Sequence, residues 1–290
     1  MRSLLYHRAF GVVSFLAIVS GCGYAADNSE SSAEPGQYLP WEKGDVRVGG
    51  FVAIFNSTLS FGMNNAPGVK INGEDVFGLE STLTVFRADA MIRPGSSLRH
   101  EIDVSYAGYH RDGDVTLSRE LTIDGTTYPV GARVQTVFNF DIIKASYSYA
   151  FIQSDRLRIA GGLGIYAVPL KYGLNITTMN GRSNVEGANS TFPLPALELH
   201  TEFQVIPRLF VNAGIDAMYL EVSDFRGSLV DLNLGVEYRP WKHFGLGLGY
   251  GYTGVNVEGE STKSDYPGVN FVGSADVHFS GLLFYGKFSF

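Results

Sequence analysis

The stretch Leu229–Tyr252 reads LVDLNLGVEYRPWKHFGLGLGYGY. Val230, Leu232, Leu234, Val236 and Tyr238 alternate with Asp231, Asn233, Gly235, Glu237 and Arg239, so an extended chain here has one greasy face and one charged face. After a turn at Pro240–His243, Phe244, Leu246, Leu248, Tyr250 and Tyr252 alternate with Gly245, Gly247, Gly249 and Gly251. Such a pair predicts an antiparallel hairpin with its apolar face toward lipid and its other face toward a polar interior. A soluble sandwich also alternates. Rows of glycine opposite large apolar residues suit a tightly curved barrel wall better, because inward side chains crowd there.

The same period runs both ways along the chain. It predicts about ten strands, near 45–60, 80–93, 98–121, 128–153, 156–169, 193–206, 208–221, 227–239, 243–257 and 275–290. Eight or twelve strands are the alternatives, twelve if the Asp-Gly turn in Thr122–Thr126 closes a separate hairpin. Here it is counted as the tip of a projecting extension. Short turns are expected at Pro94–Ser97, Ser154–Arg156, Pro207–Arg208 and Pro240–His243, in alternation with longer polar loops at Gly62–Gly78, Asp112–Arg133, Lys171–Phe192 and Glu258–Val272. An even count with this asymmetry places both termini on the periplasmic side of a transmembrane antiparallel β-barrel.

Composition agrees. The chain has 290 residues, 45% hydrophobic and 18% charged, with 35 glycines and a mean hydropathy of +0.04. A membrane-crossing helix needs about 18 or more apolar residues, and the run Ala9–Val19 is too short. That run follows Arg2 and Arg8 and precedes Gly23-Tyr24-Ala25, the pattern of a cleaved secretory signal. The expected organisation is a signal peptide over 1–25, a disordered periplasmic leader over 26–44 and a barrel over 45–290. Cys22, the single cysteine, lies in the signal region, so cleavage after Ala25 leaves no disulfide framework. Val19-Ser20-Gly21-Cys22 also resembles a lipobox, which makes Cys22 a candidate lipidation site. The formal charge of -7, without a cluster of Lys and Arg, argues against a nucleic-acid partner.

The final strand places Leu282, Phe284, Gly286, Phe288 and Phe290 on one face and ends on an aromatic. With the signal sequence and the alternating strands, this resembles the carboxy-terminal assembly signature of bacterial outer-membrane β-barrels, at the level of small OmpA-, OmpX- and OmpW-like barrels. The resemblance covers 45–290 and implies a Gram-negative outer membrane, recognition by the barrel-assembly machinery, and contact with outer-membrane lipids and lipopolysaccharide. Tyr106, Tyr109, Tyr147, Tyr149, Tyr166, Tyr219, Tyr238, Trp241, Tyr250, Tyr252 and Tyr285 corroborate it as a candidate interfacial girdle.

Parity assigns Arg87, Asp89, Glu101, Asp103, Lys144, Arg158, Glu198, His200, Glu202, Asp216, Asp231, Glu237 and Arg239 to the lumen. Both signs are present, and mutual pairing that fills the lumen is expected, because an unpaired charge away from water is costly. Glu198-x-His200-x-Glu202 puts three groups on one strand face, where they could bind a metal or exchange protons. No partnering Ser or Cys motif accompanies them. The acidic-plus-His and His-Ser arrangements of omptin proteases and outer-membrane lipid A deacylases find no positional match. The expectation is therefore a non-enzymatic barrel without cofactor or metal, structural or surface-exposed in role. A narrow pore for small solutes is the first alternative and a membrane-embedded hydrolase the second.

Overall fold

The computed structural model describes residues 41–61, 70–123, 126–178, 181–261 and 271–290. The signal peptide, the leader through residue 40, Cys22 and the Asp124-Gly125 turn lie outside the described residues. In chain order the elements are β1 (Gly44–Phe61), β2 (Lys70–Asn72), α1 (Gly73–Phe77), β3 (Thr82–Ile92), β4 (His100–Thr116), β5 (Leu121–Ile123), β6 (Thr126–Tyr128), β7 (Arg133–Gln153) and β8 (Leu157–Thr178). β9 (Gly181–Ile206), β10 (Leu209–Val222), β11 (Phe225–Trp241), β12 (Phe244–Ser261) and β13 (Phe271–Ser289) follow.

Ten of these strands form one closed antiparallel barrel, in the order β1-β3-β4-β7-β8-β9-β10-β11-β12-β13. It closes where β13 returns to β1, in register from Asp45↔Ser289 to Phe61↔Gly273. The last bonds of that seam join the chain end to the first strand residue: the Phe290 N–H donates to the Gly44 carbonyl (2.9 Å) and the Gly44 N–H to the Phe290 carbonyl (3.2 Å). β2 adds a short edge to β1, and β5 with β6 forms a separate small hairpin.

Even-numbered residues of β11, β12 and β13, among them Leu232, Leu248 and Phe284, lie half-exposed on the outer face. Their odd-numbered neighbours Glu237, Tyr285 and Lys287 turn inward. Large apolar residues cover the outside of the other strands too, for example Phe86, Val104, Leu163, Leu197 and Ile215, which gives an apolar outer belt of the kind that faces lipid in membrane barrels. Tyr147, Tyr149, Tyr219, Tyr238 and Trp241 of the expected girdle face outward. Tyr109 and Tyr166 instead are buried inside, and Tyr285 lies across the lumen-facing Gly247. A Cβ on Gly247 would stand 2.0 Å from the Tyr285 ring, so this glycine makes room for an inward aromatic.

One expected loop is not a loop, and one connection is shorter than the alternation implies. The β8–β9 ladder continues to Thr178↔Gly181, so 171–192 is mostly a projecting hairpin, and β10 joins β11 through Ser223-Asp224 alone. The 112–133 extension splits: β4 and β7 pair as far as Thr116↔Arg133, and the β5–β6 hairpin is separate from them.

The outer rim also divides. β3 and β4 pair only between Ile92↔Ile102 and Arg87↔Ala107, and β9 leaves β10 beyond Leu197↔Ala217. Pro193 and Pro195 follow that second point, and proline has no N–H to continue a ladder. Thus the ladder of β4, β7, β8 and β9 forms one wall and that of β10, β11, β12, β13, β1 and β3 another, tied beyond the β3–β4 gap by the Leu79↔Gly113 bridge.

Phe290 is 58% exposed on the outer face, yet deleting it also removes the seam's two terminal backbone bonds, at about 0.5–1.5 kcal/mol each. Cells expressing the deletion at low level should show a depleted folded band in heat-modifiable gels of outer-membrane fractions, and Phe290→Tyr should match wild type. Equal assembly of the deletion would remove any special role for the aromatic terminus.

Candidate functional site

The barrel lumen is built in three levels. At the end of the barrel that holds Gly44 and Phe290, Lys287 Nζ lies 2.8 Å from Glu42, 3.2 Å from Asp45 and 3.0 Å from Glu237. Arg239 bridges Glu237 (2.5 Å) and Glu42 (2.9 Å), and the Tyr285 hydroxyl donates to Glu237 at 3.1 Å. Arg239 also lies over the Phe210 ring, 3.7 Å from its centroid, and Trp41 packs edge-on against the same ring. The Trp41 indole N–H donates to the Ser154 carbonyl at 2.8 Å. Residues 41–43 were expected to belong to the disordered leader. The indole and the Glu42 carboxylate instead anchor this segment in the barrel mouth, because each finds there a partner that a free leader would lack.

On the opposite wall, Arg93 and Arg158 face Glu101 and Glu202. Arg93 Nε and Arg158 Nη1 each approach Glu101 Oε2 to 2.7 Å, Arg93 also pairs with Glu202, and Arg158 lies 3.5 Å from Glu202. His200 Nε2 sits 3.2 Å from both Glu101 Oε1 and Arg158 Nη1. A proton on that nitrogen goes to Glu101, and a bare nitrogen accepts from Arg158.

Above these groups is a cavity of about 190 Å³, whose lining includes Arg47, Arg87, Asp89, Asp103, Lys144, Glu198 and Asn233. Lys144 pairs with Asp216 (2.6 Å) and Glu198 (2.9 Å), and the Tyr166 hydroxyl donates to Asp216. Arg87 pairs with Asp89 at 3.3 Å. Asp231 accepts from Thr253 at 2.6 Å and from the Asn233 amide.

The level at the opposite end is aromatic. Tyr109 stacks on Phe140 with centroids 4.8 Å apart, and Phe55 and Phe279 lie 5.0 Å apart beside them. α1 closes this level from outside, with Val76 and Phe77 buried in the same cluster. The Asn72 side chain caps the helix by accepting from the Asp75 N–H at 2.8 Å, and Gly78 ends it at φ 63°. Glu74 ties it down by accepting from the Ser57 N–H (2.9 Å) and pairing with Arg111 (2.5 Å), which lies over Phe55.

Of the residues that parity assigned inward, Glu101, Arg158, His200 and Glu202 meet in one cluster, Lys144, Glu198 and Asp216 in a second, and Glu237 with Arg239 in a third. The Glu198-x-His200-x-Glu202 triplet is not one site: Glu198 turns to Lys144, and Glu101 of another strand takes its place beside His200. The ligand atoms of Glu101, His200 and Glu202 lie within 4.8 Å of one another, but the Arg93 and Arg158 guanidiniums already neutralise both carboxylates. A metal would have to displace them, so the donor set does not fit a cation.

Asp45, Arg47 and Lys287 were missed, although their period-two spacing among outward apolar residues carries the signal. Arg93 sits at a strand end and Glu42 precedes the first strand, where no period reaches.

No family model matches this chain, and no curated protein matches it. Among solved structures it is similar to the outer-membrane protease OmpT of Escherichia coli, with a TM-score of 0.54 and 8% identity over 85% of this chain and 96% of that one. It is also similar to the attachment invasion locus protein Ail of Yersinia pestis (TM-score 0.35, 11% identity, 86% of this chain and 99% of that one). OprG of Pseudomonas aeruginosa gives a TM-score of 0.30 and 10% identity over 86% of this chain and 97% of that one.

Proposed function

We propose that this chain, which has the closed ten-stranded fold of the outer-membrane β-barrels, is a Gram-negative outer-membrane protein whose barrel is a sealed pedestal for surface-exposed hairpins. The observation that carries this reading is the filling of the lumen at two levels. Buried Glu237, Lys287, Arg239 and Arg158 are paired across the periplasmic end, and four aromatic rings with α1 occupy the other end. Charges held by partners on facing strands do not swing aside as a mobile loop would. β9 has 26 residues, about 86 Å of strand or roughly 65 Å along the membrane normal at a tilt near 40°. The apolar belt of such barrels is only about 25 Å tall, so more than half of the β8–β9 hairpin stands outside that belt.

The half-open, charge-lined cavity within the lumen supports the second reading, a narrow pore. Purified protein in planar bilayers is expected to give no discrete conductance steps, and protease added to intact cells should cut within 171–192. Regular unitary openings of the wild type would favour the pore instead. The hydrolase reading gains support only from activity against peptides or lipid A that is lost in His200→Ala.

A further inference from the structure

On the outer face of β4, β7 and β8 the apolar belt ends in a row formed by Tyr106, Ile143 and Ala167. The next rows are polar: His110 pairs in register with Asn139, and Asn139 with Lys171. These residues line an open depression of about 380 Å³ together with Asp141, Pro169 and Thr191. Gly108 keeps it open at its lower edge, where a Cβ would stand 2.7 Å from the Tyr106 hydroxyl and 3.0 Å from the Asp141 carboxylate. The Tyr106 hydroxyl donates to Asp141 Oδ1 at 3.2 Å, and His110 Nε2 lies 3.4 Å from the same oxygen. Asn139 accepts from the Arg111 N–H at 3.1 Å through its amide oxygen, which orients its NH₂ group away from that bond.

The depth of this depression is set by the strand. From Phe151, an outward aromatic near the periplasmic turn, to Asp141 is roughly ten residues, or about 25 Å along the normal at a tilt near 40°. The depression therefore lies at the outer headgroup level, with half-exposed Tyr106, Ile143 and Ile165 directly below it.

We infer that the His110–Asn139–Asp141–Lys171 depression binds the phosphorylated sugar headgroup of an outer-leaflet lipid, whose acyl chains run down the apolar residues beneath. This rests on the outer-membrane placement proposed above. Lys171 supplies the cation for a phosphate and the Asn139 amide supplies donors to its oxygens. The Asp141 carboxylate accepts from a sugar hydroxyl. A bare phosphate would meet Asp141 as a repulsive neighbour, whereas a phosphosugar carries both kinds of partner. Position at the bilayer boundary selects a lipid rather than a soluble ligand.

The test uses the full-length barrel purified in detergent, with heat-modifiable migration confirming that each variant is folded. Native mass spectrometry would follow titration with bisphosphorylated lipid A, dephosphorylated lipid A with the same acyl chains, and pyrophosphate. Wild type should bind bisphosphorylated lipid A about tenfold more tightly than Lys171→Ala/Asn139→Asp, a pair that keeps the acceptor for the Arg111 N–H. Dephosphorylated lipid A should lose a similar factor, and pyrophosphate should not bind. Arg226→Ala, which removes an exposed cation on the other wall, should bind like wild type. Lys171→Glu, a single surface change, serves if the double variant fails to fold. Wild-type affinity in the Lys171 variants, or equal binding of dephosphorylated lipid A, overturns the inference. So does binding of pyrophosphate as tight as that of lipid A, which would assign the depression to free phosphate.

Discussion

Glu237→Ala is expected to destabilise the barrel by about 3–5 kcal/mol, the range for removing one partner of a buried ion pair. Glu237 is fully buried and takes Lys287, Arg239 and the Tyr285 hydroxyl at once. Its loss leaves two buried cations sharing Glu42 and Asp45, and a phenol without its acceptor. The double variant Glu237→Leu/Lys287→Met should recover most of the loss, because Arg239 keeps Glu42 and Asp45 keeps Arg47 while an apolar pair fills the gap. Guanidinium unfolding in detergent micelles, followed by the fluorescence of Trp41 and Trp241, would measure both. If the single variant unfolds like wild type, water fills this level of the lumen, and the pedestal reading fails with it.

Leu248→Arg should cost about 2–4 kcal/mol, the penalty for a cation near the midplane of an outer-membrane barrel. It should appear mostly as unassembled protein. Leu248 is half-exposed on the outer face and pairs in register with Val236 and Phe284, so an arginine there meets acyl chains. Asn233→Arg, one strand away, instead enters the cavity beside Asp231, and its guanidinium can take over the contact the Asn233 amide now makes. Folded yields on heat-modifiable gels should fall sharply for the first and little for the second. Equal yields would mean that the two faces are wrongly assigned. Gly247→Arg is not a useful lumen control despite its inward parity, since Tyr285 occupies that space.

Alternation determined which side of each strand meets lipid, because the pleat turns successive side chains to opposite faces and a one-residue slip would reverse every one of them. Leu232 against Asp231 and Leu248 against Gly247 were therefore legible before any coordinates. So was the even number of spanning strands, set by turn residues at regular spacing. Period two has no information about height across the lumen, about neighbours on other strands or about chain that enters from outside the ladder. His200 was read beside Glu198 and Glu202 because they share a strand. Of its actual neighbours, Arg158 comes from the adjacent strand β8, in register with Glu202, and Glu101 comes from β4, 99 residues away in sequence, and reaches it across the lumen. Glu42 and Trp41 lie before the first strand and Glu74 on a helix after it, so no period marked them. The sequence alone determined a barrel with a greasy outside and a charged inside. The tertiary structure decided which charges meet across the lumen, such as Arg93 with Glu202 and Glu101 with His200, because such pairs depend on register and height summed over several strands.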